Sequence, residues 1–219
     1  MSDRTKDLYL LRSHCKTPLL RGMVAVAMSL LSLLQIARAT TVIEQSFSSL
    51  VQDAEVIAIG TVSAIATEWN AEKEAPFTLV TFSDLDVLKG DESQTEITLH
   101  FLGGPTPDGL VMQIAGVPQF SLGERTVIFC QGNQHQAVPL VGMWQGVYRV
   151  MFDAERGTET IHNHARQPVT TLPSEEGGIL HDEAPIVQEQ KDQPSEAMSL
   201  GTFTQMIEQE LRQEMPNEQ

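Results

Sequence analysis

The sequence contains little cysteine, few aromatic residues and few basic residues. Only two of its 219 residues are cysteine, which excludes a disulfide-rich scaffold. Aromatic residues make up 5% of the chain, so few rings are available for a core and a binding surface together. Lys and Arg number 14 against 29 Asp and Glu, a formal net charge of −15. No nucleic-acid partner is expected, because binding to phosphates needs a basic surface.

Standard catalytic and metal-binding motifs are also missing. The sequence has no His-Glu-x-x-His pattern, no Gly-x-Ser-x-Gly pattern, no phosphate-binding glycine loop that opens a helix and no paired-cysteine zinc motif. We therefore expect no cofactor and favour a non-enzymatic role. Hydrophobic residues still make up 41% of the chain, which is enough for a folded core and excludes disorder throughout.

The first 39 residues have the pattern of a secretory signal peptide. Basic residues dominate positions 1–21, and an uncharged stretch over 22–37 is followed by small residues at Ala37 and Ala39. We predict cleavage after Ala39 and a secreted or periplasmic protein. The alternative is that residues 1–39 are retained as an anchor. In that case this segment would be the chain's one contact with a membrane. The uncharged stretch has 16 residues, fewer than the roughly 20 that span a bilayer comfortably.

Cleavage would change both the charge and the cysteine count of the chain. It would remove six basic and two acidic residues, which leaves 8 against 27 and a net charge of −19. Cys130 would then be the single cysteine. Because Cys130 ends the apolar run 127–129, we predict a buried thiol that behaves as a small hydrophobic group. The alternative, a nucleophilic thiol, needs a basic and partly exposed setting.

The centre of the chain has the residue pattern of β-strands. Residues 95–101 alternate between apolar and polar side chains, as in a half-buried strand, whereas 56–65 is apolar on both faces, as in a central strand. A short strand is also expected around 110–114. With β-branched runs and glycine turns, these patterns predict main strands at 56–65, 77–88, 95–101, 125–130 and 158–162, and one more within 140–153, where Gly142 and Gly146 break it.

These elements predict an all-β fold with a helix at each end. Thr41 and Glu44 have the spacing of a capping box, which predicts an amphipathic helix over 42–53. Five to six strands, a long first strand at 56–69 and a non-strand insert at 102–123 fit a small OB-like (netrin-like) barrel. An immunoglobulin-like sandwich needs about seven strands, more than the sequence offers. The predicted segments are a signal peptide at 1–39, a barrel domain at 40–165, an acidic proline-containing linker at 166–197 and an amphipathic C-terminal helix at 198–215.

Several short phrases occur in an order that resembles one known family. They are Leu50–Val62 (LVQDAEVIAIGTV), Val87–Gly90 (VLKG), Gly103-Gly104, Gly116–Phe120 (GVPQF), Gly123-Glu124 and Gly142–Val150 (GMWQGVYRV). Through them, residues 46–152 resemble a family of uncharacterised secreted bacterial proteins, some of which occur beside predicted metalloproteases. The resemblance implies an exported protein partner, with a metalloprotease as one candidate, and supplies no catalytic residues. It also implies a structural hydrogen bond from the preceding loop to Glu124.

A fainter resemblance is to the netrin-like OB domain of tissue inhibitors of metalloproteinases. It lies in the strand layout and in the Val87–Gly90 turn. Those inhibitors bind the protease zinc through an N-terminal cysteine that disulfides hold in place. Here Thr40 would be the first residue after cleavage, and a single cysteine cannot form an internal disulfide. The resemblance therefore implies the fold but not the inhibitory mechanism.

The segment around Trp144 is the predicted binding site. Trp144 and Tyr148 offer large rings with a polar edge, Gln145 lies between them, and Gly142 and Gly146 let another backbone approach. OB barrels bind partners on the sheet face and the adjoining loops. The alternative is that both rings complete the core. We predict a secreted non-enzymatic module that binds another exported protein, with a protease as one candidate.

We assign no metal ligand, and His162 and His164 are the nearest candidates. Two residues apart on a strand, both imidazoles would face the same side and could meet one metal ion. A zinc site needs three or four protein ligands, so His135, His181 or acidic residues would have to complete it. The alternatives are a metal-dependent hydrolase built on this pair and a solvated polar strand end. Loose calcium binding by the acidic tail ranks last, because the sequence lacks a dedicated calcium loop.

Overall fold

The computed structural model describes residues 41–72, 74–173, 179–181 and 196–214, so the predicted signal peptide and most of the predicted linker lie outside it. The helices are α1 (Phe47–Asp53) and α2 (Leu200–Glu214), and a 3₁₀ helix spans Met143–Gly146. The strands are β1 (Thr41–Ile43), β2 (Val56–Asn70), β3 (Ala75–Lys89), β4 (Glu96–Leu102), β5 (Gly104–Pro105), β6 (Val111–Met112), β7 (Arg125–Cys130), β8 (Val147–Asp153), β9 (Thr158–His162) and β10 (Ile179–His181). Among the described residues, no helix has the length and apolar character needed to cross a membrane.

Six strands form one antiparallel sheet in the order β4-β3-β2-β7-β8-β9. The two-stranded pairs β1–β10 and β5–β6 lie outside it. The prediction of a mostly β fold with six main strands and two helices is confirmed. Within the described part of the chain the sheet does not close, because β4 and β9 are its two edges. The described strands therefore do not form a closed barrel.

The residues between β7 and β8 explain why the sheet stays open. Asn133 Oδ1 accepts a hydrogen bond from His100 N at 3.1 Å, and Asn133 Nδ2 donates one to Thr98 O at 2.8 Å. Leu102 N donates to Ala137 O at 2.8 Å. A loop and one amide side chain thus satisfy the outer edge of β4, at the position where a closed barrel would have a strand.

The sheet separates two hydrophobic cores, because successive side chains point to opposite faces of each strand. The first core contains Ile57 of β2 and Phe129 of β7, and both helices pack on it. The second core contains Ala58 and Val62 of β2, together with inward-facing residues of β3 and β4. The prediction that β2 is covered on both faces is confirmed as far as Val62, but residues 63–69 are exposed.

The first helix starts later than the sequence predicts. The helix expected over 42–53 is observed as α1, and Ser46 Oγ caps it by accepting a hydrogen bond from Ser49 N at 3.0 Å. The predicted capping box does not form a helix start, because residues 41–43 form β1 and pair with β10. Pairing with a distant strand therefore overrides the local capping signal.

The C-terminal helix packs on the first core. Phe203 and Ile207 of α2 are fully buried. The Phe203 ring centroid lies 5.6 Å from that of Phe47 in α1 and 4.7 Å from that of Tyr148 in β8. The sequence predicted this helix over 198–215 and left its docking open. The structure brings the two helices together on one face of the sheet.

Cys130 is buried at the end of β7, as predicted. Burial raises the pKa of its thiol, and the negative charge of Glu55 raises it further. This setting is the opposite of the basic, partly exposed one that a nucleophilic cysteine needs. Cys130 therefore acts as a small core residue.

Candidate functional site

The predicted binding segment, residues 142–148, places its two rings in the core. Trp144 is 5% exposed and Tyr148 is 6% exposed. The Tyr148 ring centroid lies 5.8 Å from that of Phe129 and 4.7 Å from that of Phe203. Burial also raises the pKa of the Tyr148 hydroxyl. This burial favours the alternative in which both rings complete the core, because they offer almost no area to a partner.

The Trp144 ring packs closely against Gly116, in the loop before β7. Gly116 has a φ of +83°, and a Cβ there would lie 2.8 Å from ring carbon Cζ3 of Trp144. A larger residue would strain the backbone and displace the ring. The Trp144 ring also lies 5.8 Å from the imidazole of His164. Trp144 therefore links the loop before β7 to the turn after β9.

The remaining residues of the predicted site hold the chain before α1. Gln145 Oε1 accepts a hydrogen bond from Gln45 N at 2.8 Å. Gln145 Nε2 donates to Ile43 O at 3.0 Å and to Gly142 O at 3.2 Å, and Gly146 is buried. The predicted residues thus lie together and are engaged by their own chain. A binding role for this segment stays a prediction.

Sequence reasoning missed a buried ion pair beside this segment. Arg149 of β8 is buried and pairs with Glu124, the residue before β7. Arg149 Nε donates to His164 O at 3.0 Å, and Nη2 donates to Gln119 O at 2.6 Å. Ser121 N donates to Glu124 Oε2 at 3.1 Å, so the structural hydrogen bond expected for Glu124 is confirmed. The network fixes the 119–124 loop, and its charges are satisfied within the protein.

The structure removes the geometric basis of the metal candidate. β9 ends at His162 and the chain turns after it, so His164 does not continue the two-residue repeat of the strand. Both ring nitrogens of His162 lie near protein oxygens, Nε2 at 3.2 Å from Thr160 Oγ1 and Nδ1 at 3.3 Å from Arg166 O. The premise that both imidazoles share a strand face is therefore wrong.

The other histidines named for this site lie in different elements. His135 is exposed in the loop after β7, and His181 belongs to β10. Over the ranges that the structure describes, no group of three or more His, Cys, Asp or Glu is placed to hold a metal ion. A metal centre would need additional ligands from outside those ranges.

A second exposed region, which sequence reasoning missed, lies where β2 and β3 continue past β7. The described residues of 63–81 are here called the arm; in it β2 has β3 as its one strand neighbour, and β3 pairs on its other side with β4. Thr61 is the last residue of β2 that pairs with β7, opposite Arg125. Residues 63–69 of the arm are all exposed. The length of β2 was predicted from its sequence, but the point where β7 leaves it was not.

The arm has an apolar face. Ile65 pairs with Val80 and Thr67 pairs with Thr78, so these side chains point to the same face as Val80, which is buried in the second core. Trp69 follows on this face by the two-residue repeat. Ile65 is 39% exposed and Trp69 is 44% exposed. Both lie beyond the part of that face that the second core covers.

The β5–β6 hairpin lies beside this face. A Cβ on Gly104 of β5 would lie 3.6 Å from Thr67 Cγ2, and Gly104 pairs with Met112 of β6. The hairpin carries its own exposed apolar side chains. We call the combined set the apolar end of the molecule: Ile65, Trp69, Leu110, Val111 and Met112. The short strand predicted around 110–114 is observed as β6, but nothing in the sequence indicated its place beside the arm.

Comparisons of the chain with protein-family models, with curated proteins and with solved structures found no significant match. The geometry of the described residues therefore carries the functional conclusion. The apolar end contributes five of the large apolar side chains that are exposed among those residues, whereas the segment around Trp144 is occupied by its own chain.

Proposed function

We propose that the chain is a secreted, non-enzymatic binding module that engages another exported protein, with a protease as one candidate. The observation that carries this proposal is the apolar end. Folded soluble chains seldom expose a group of large apolar side chains unless another surface covers it. We therefore propose the arm and the β5–β6 hairpin as the binding face, because the exposed side chains of the apolar end lie there.

We also propose the OB-like, netrin-like barrel as the fold type, and with it the resemblance to the secreted bacterial family. OB barrels are five-stranded and partly open, with binding surfaces on one sheet face and nearby loops. Two features support the proposal. β2 is 15 residues long and pairs with both β3 and β7, and the insert between β4 and β7 stays outside the main sheet.

Capture of a partner from the exported fraction of the producing cells tests the binding proposal. We expect one dominant protein that binds again, at a fixed ratio, when both proteins are purified. Trp69→Ala should weaken that binding about tenfold or more, because an exposed aromatic anchor is lost. Phe152→Ala is the matched control, since it removes an exposed ring from β8. Failure to recover any partner over a range of salt and pH, or equal effects of the two variants, would contradict the proposal.

Export has a separate test. The mass of the protein recovered outside the inner membrane should correspond to a chain that starts at Thr40. A product that keeps residues 1–39 would instead support the retained anchor.

The metal-dependent hydrolase built on His162 and His164 is the competing prediction. Elemental analysis of the purified protein decides it, because a catalytic site must hold its ion through purification. We expect less than about a tenth of an equivalent of any transition metal, whereas a stoichiometric content would restore the hydrolase.

A further inference from the structure

One edge of β2 lacks a strand partner along the arm. β2 pairs with β3 along the arm but with β7 only over Val56–Thr61. Val62 makes the last contacts on the β7 side, donating to Glu124 O at 2.9 Å and accepting from Gly123 N at 2.8 Å. Past Val62, no strand in the described ranges pairs with this edge, here called the free edge (Ser63–Trp69). At about 3.3 Å per residue it is roughly 23 Å long.

The free edge belongs to a regular ladder. β3 is its strand neighbour, and β4 pairs with the far side of β3. From Ala64 to Asn70, β2 pairs with β3 residue by residue without a register shift. β3 in turn pairs with β4, and the hydroxyls of Thr81 and Thr98 lie 2.9 Å apart across that pair. An incoming strand would add to a sheet that is already formed, which lowers the entropy lost on binding.

The sequence of the free edge protects it only at its two ends, by the register shift at Ser63 and by the charge of Glu68. Exposed edges in soluble proteins are normally blocked by proline, by lysine or by a bulge, because any unpaired strand can add to them. Ser63–Trp69 (SAIATEW) contains no proline, lysine or glycine. The last register shift of β2 lies between Val62 and Ala64, at the start of the edge. An edge left open in this way serves strand addition or leads to aggregation.

The charges along the arm favour a basic partner. Glu68, Glu72 and Glu74 are the ionisable residues at the described positions from 63 to 75, and all three are exposed. Lys73 adds a single positive charge to them in the sequence, and the whole chain carries −15. A second copy would bring a like charge to this edge, whereas Lys or Arg side chains would be attracted to it.

We propose that the free edge binds an extended, basic segment of the partner as an added β-strand. The proposal rests on the function proposed above, and it names the mode of binding and the chemistry of the partner. Main-chain hydrogen bonds along Ser63–Trp69 supply the affinity. Apolar side chains at alternate positions of the added strand pack on Ile65 and Trp69, while its basic side chains lie near the glutamates of the arm.

A synthetic strand tests the proposal directly. The probe is a fluorescent, capped ten-residue peptide of alternating Lys and Val, titrated with the purified protein and followed by fluorescence anisotropy. Two further peptides carry N-methyl groups on all the lysine amides or on all the valine amides. Only alternate residues of a strand direct their N–H groups to one edge. One methylated set should therefore bind about tenfold more weakly or worse, and the other should be tolerated.

Charge variants test the choice of a basic partner. Combined Glu68→Gln, Glu72→Gln and Glu74→Gln should weaken binding of the Lys-Val peptide about fivefold and reduce its dependence on salt. The matched control is combined Glu92→Gln, Glu96→Gln and Glu155→Gln, which removes the same charge from exposed positions outside the arm. We expect this control to bind as the unchanged protein does.

Other outcomes overturn the proposal. These are equal effects of the two methylated peptides, equal binding of a Glu-Val peptide, and equal effects of the two charge variants. A dimer of this chain that the Lys-Val peptide dissociates would show that the edge belongs to a second copy. If a captured partner does not compete with the peptide, the binding function stands and this mode of binding is wrong. If the peptide binds as expected but no partner is ever recovered, the proposed function fails and the edge chemistry stands.

Discussion

The two halves of β2 belong to one continuous strand but have different surroundings. Residues 56–62 lie between β3 and β7 and contact a core on each face, whereas residues 63–69 have one strand neighbour and are exposed. Ile57 is fully buried and Ile65 is partly exposed, although both are isoleucines of the same strand. The end of β7 at Arg125 makes this difference, and the residues of β2 do not. Burial of a strand is thus a property of its neighbours.

The largest effect is expected at the junction of the two halves, where Glu124 and its loop contact Val62. Arg149→Met leaves the largely buried Glu124 carboxylate without its main partner, so we expect the free energy of unfolding to fall by about 3 to 5 kcal/mol. Urea denaturation measures it. The double variant Arg149→Met with Glu124→Leu should recover part of the loss, because the buried charge is gone. A double variant no more stable than the single one would contradict this role of the pair.

The isoleucine pair compares the two halves directly. Ile57→Ala creates a cavity between β2 and the helices and should cost about 2 to 5 kcal/mol in the free energy of unfolding. Ile65→Ala removes the same atoms from the arm and should cost under about 1 kcal/mol. Urea denaturation of both variants under the same conditions gives the comparison. Similar losses of unfolding free energy in the two variants would mean that Ile65 is packed as tightly as Ile57.

The pH dependence of the free energy of unfolding reports on the buried half of β2, residues 56–62, because Cys130 lies opposite Val56. The folded state keeps this thiol protonated at pH values where the unfolded thiol, with a pKa near 8.5, releases its proton. The contribution of this thiol to stability should therefore be constant below about pH 8 and fall above it, by up to about 1.4 kcal/mol per pH unit. Cys130→Ala should remove this slope up to about pH 10, where the buried hydroxyl of Tyr148 begins to act in the same direction. An unchanged slope in the variant would show that the thiol is not the cause.

The smallest effect is expected for Glu68→Gln on the arm. Glu68 is exposed, and its Oε1 lies 3.9 Å from His100 Nδ1. Loss of such a contact should change the free energy of unfolding by less than about 0.5 kcal/mol. Thermal unfolding and peptide binding measured on the same variant separate the two roles of this residue. A stability loss larger than its effect on binding would assign Glu68 to the fold.

Strands and helices with a strong local pattern are predictable from this sequence. The alternation over 95–101 predicts β4, and the apolar run over 125–130 predicts β7, in both cases within one residue. The apolar stripe over 198–215 predicts α2 in the same way. These elements can be predicted because the apolar pattern that indicates each of them lies within one short stretch of sequence.

Features that depend on contacts between distant residues are not predictable in this way. The outer edge of β4 is satisfied by the side chain of Asn133, and no local pattern shows that an amide will replace a strand there. The sequence around Trp144 predicts a residue that contacts a partner, whereas in the structure its ring packs against Gly116. The free edge is missed for the same reason, since its exposure follows from where another strand stops. The sequence therefore predicts the elements well and the candidate site poorly.

The docking of α2 has a consequence for the timing of folding. Phe203 and Ile207 complete a core whose other walls come from earlier parts of the described chain, namely α1, β2, β7, β8 and β9. A ribosome delivers these side chains long after those of α1. Until then the growing polypeptide lacks one wall of that core and cannot settle into its final state. This core is therefore expected to fold only after α2 has been synthesised.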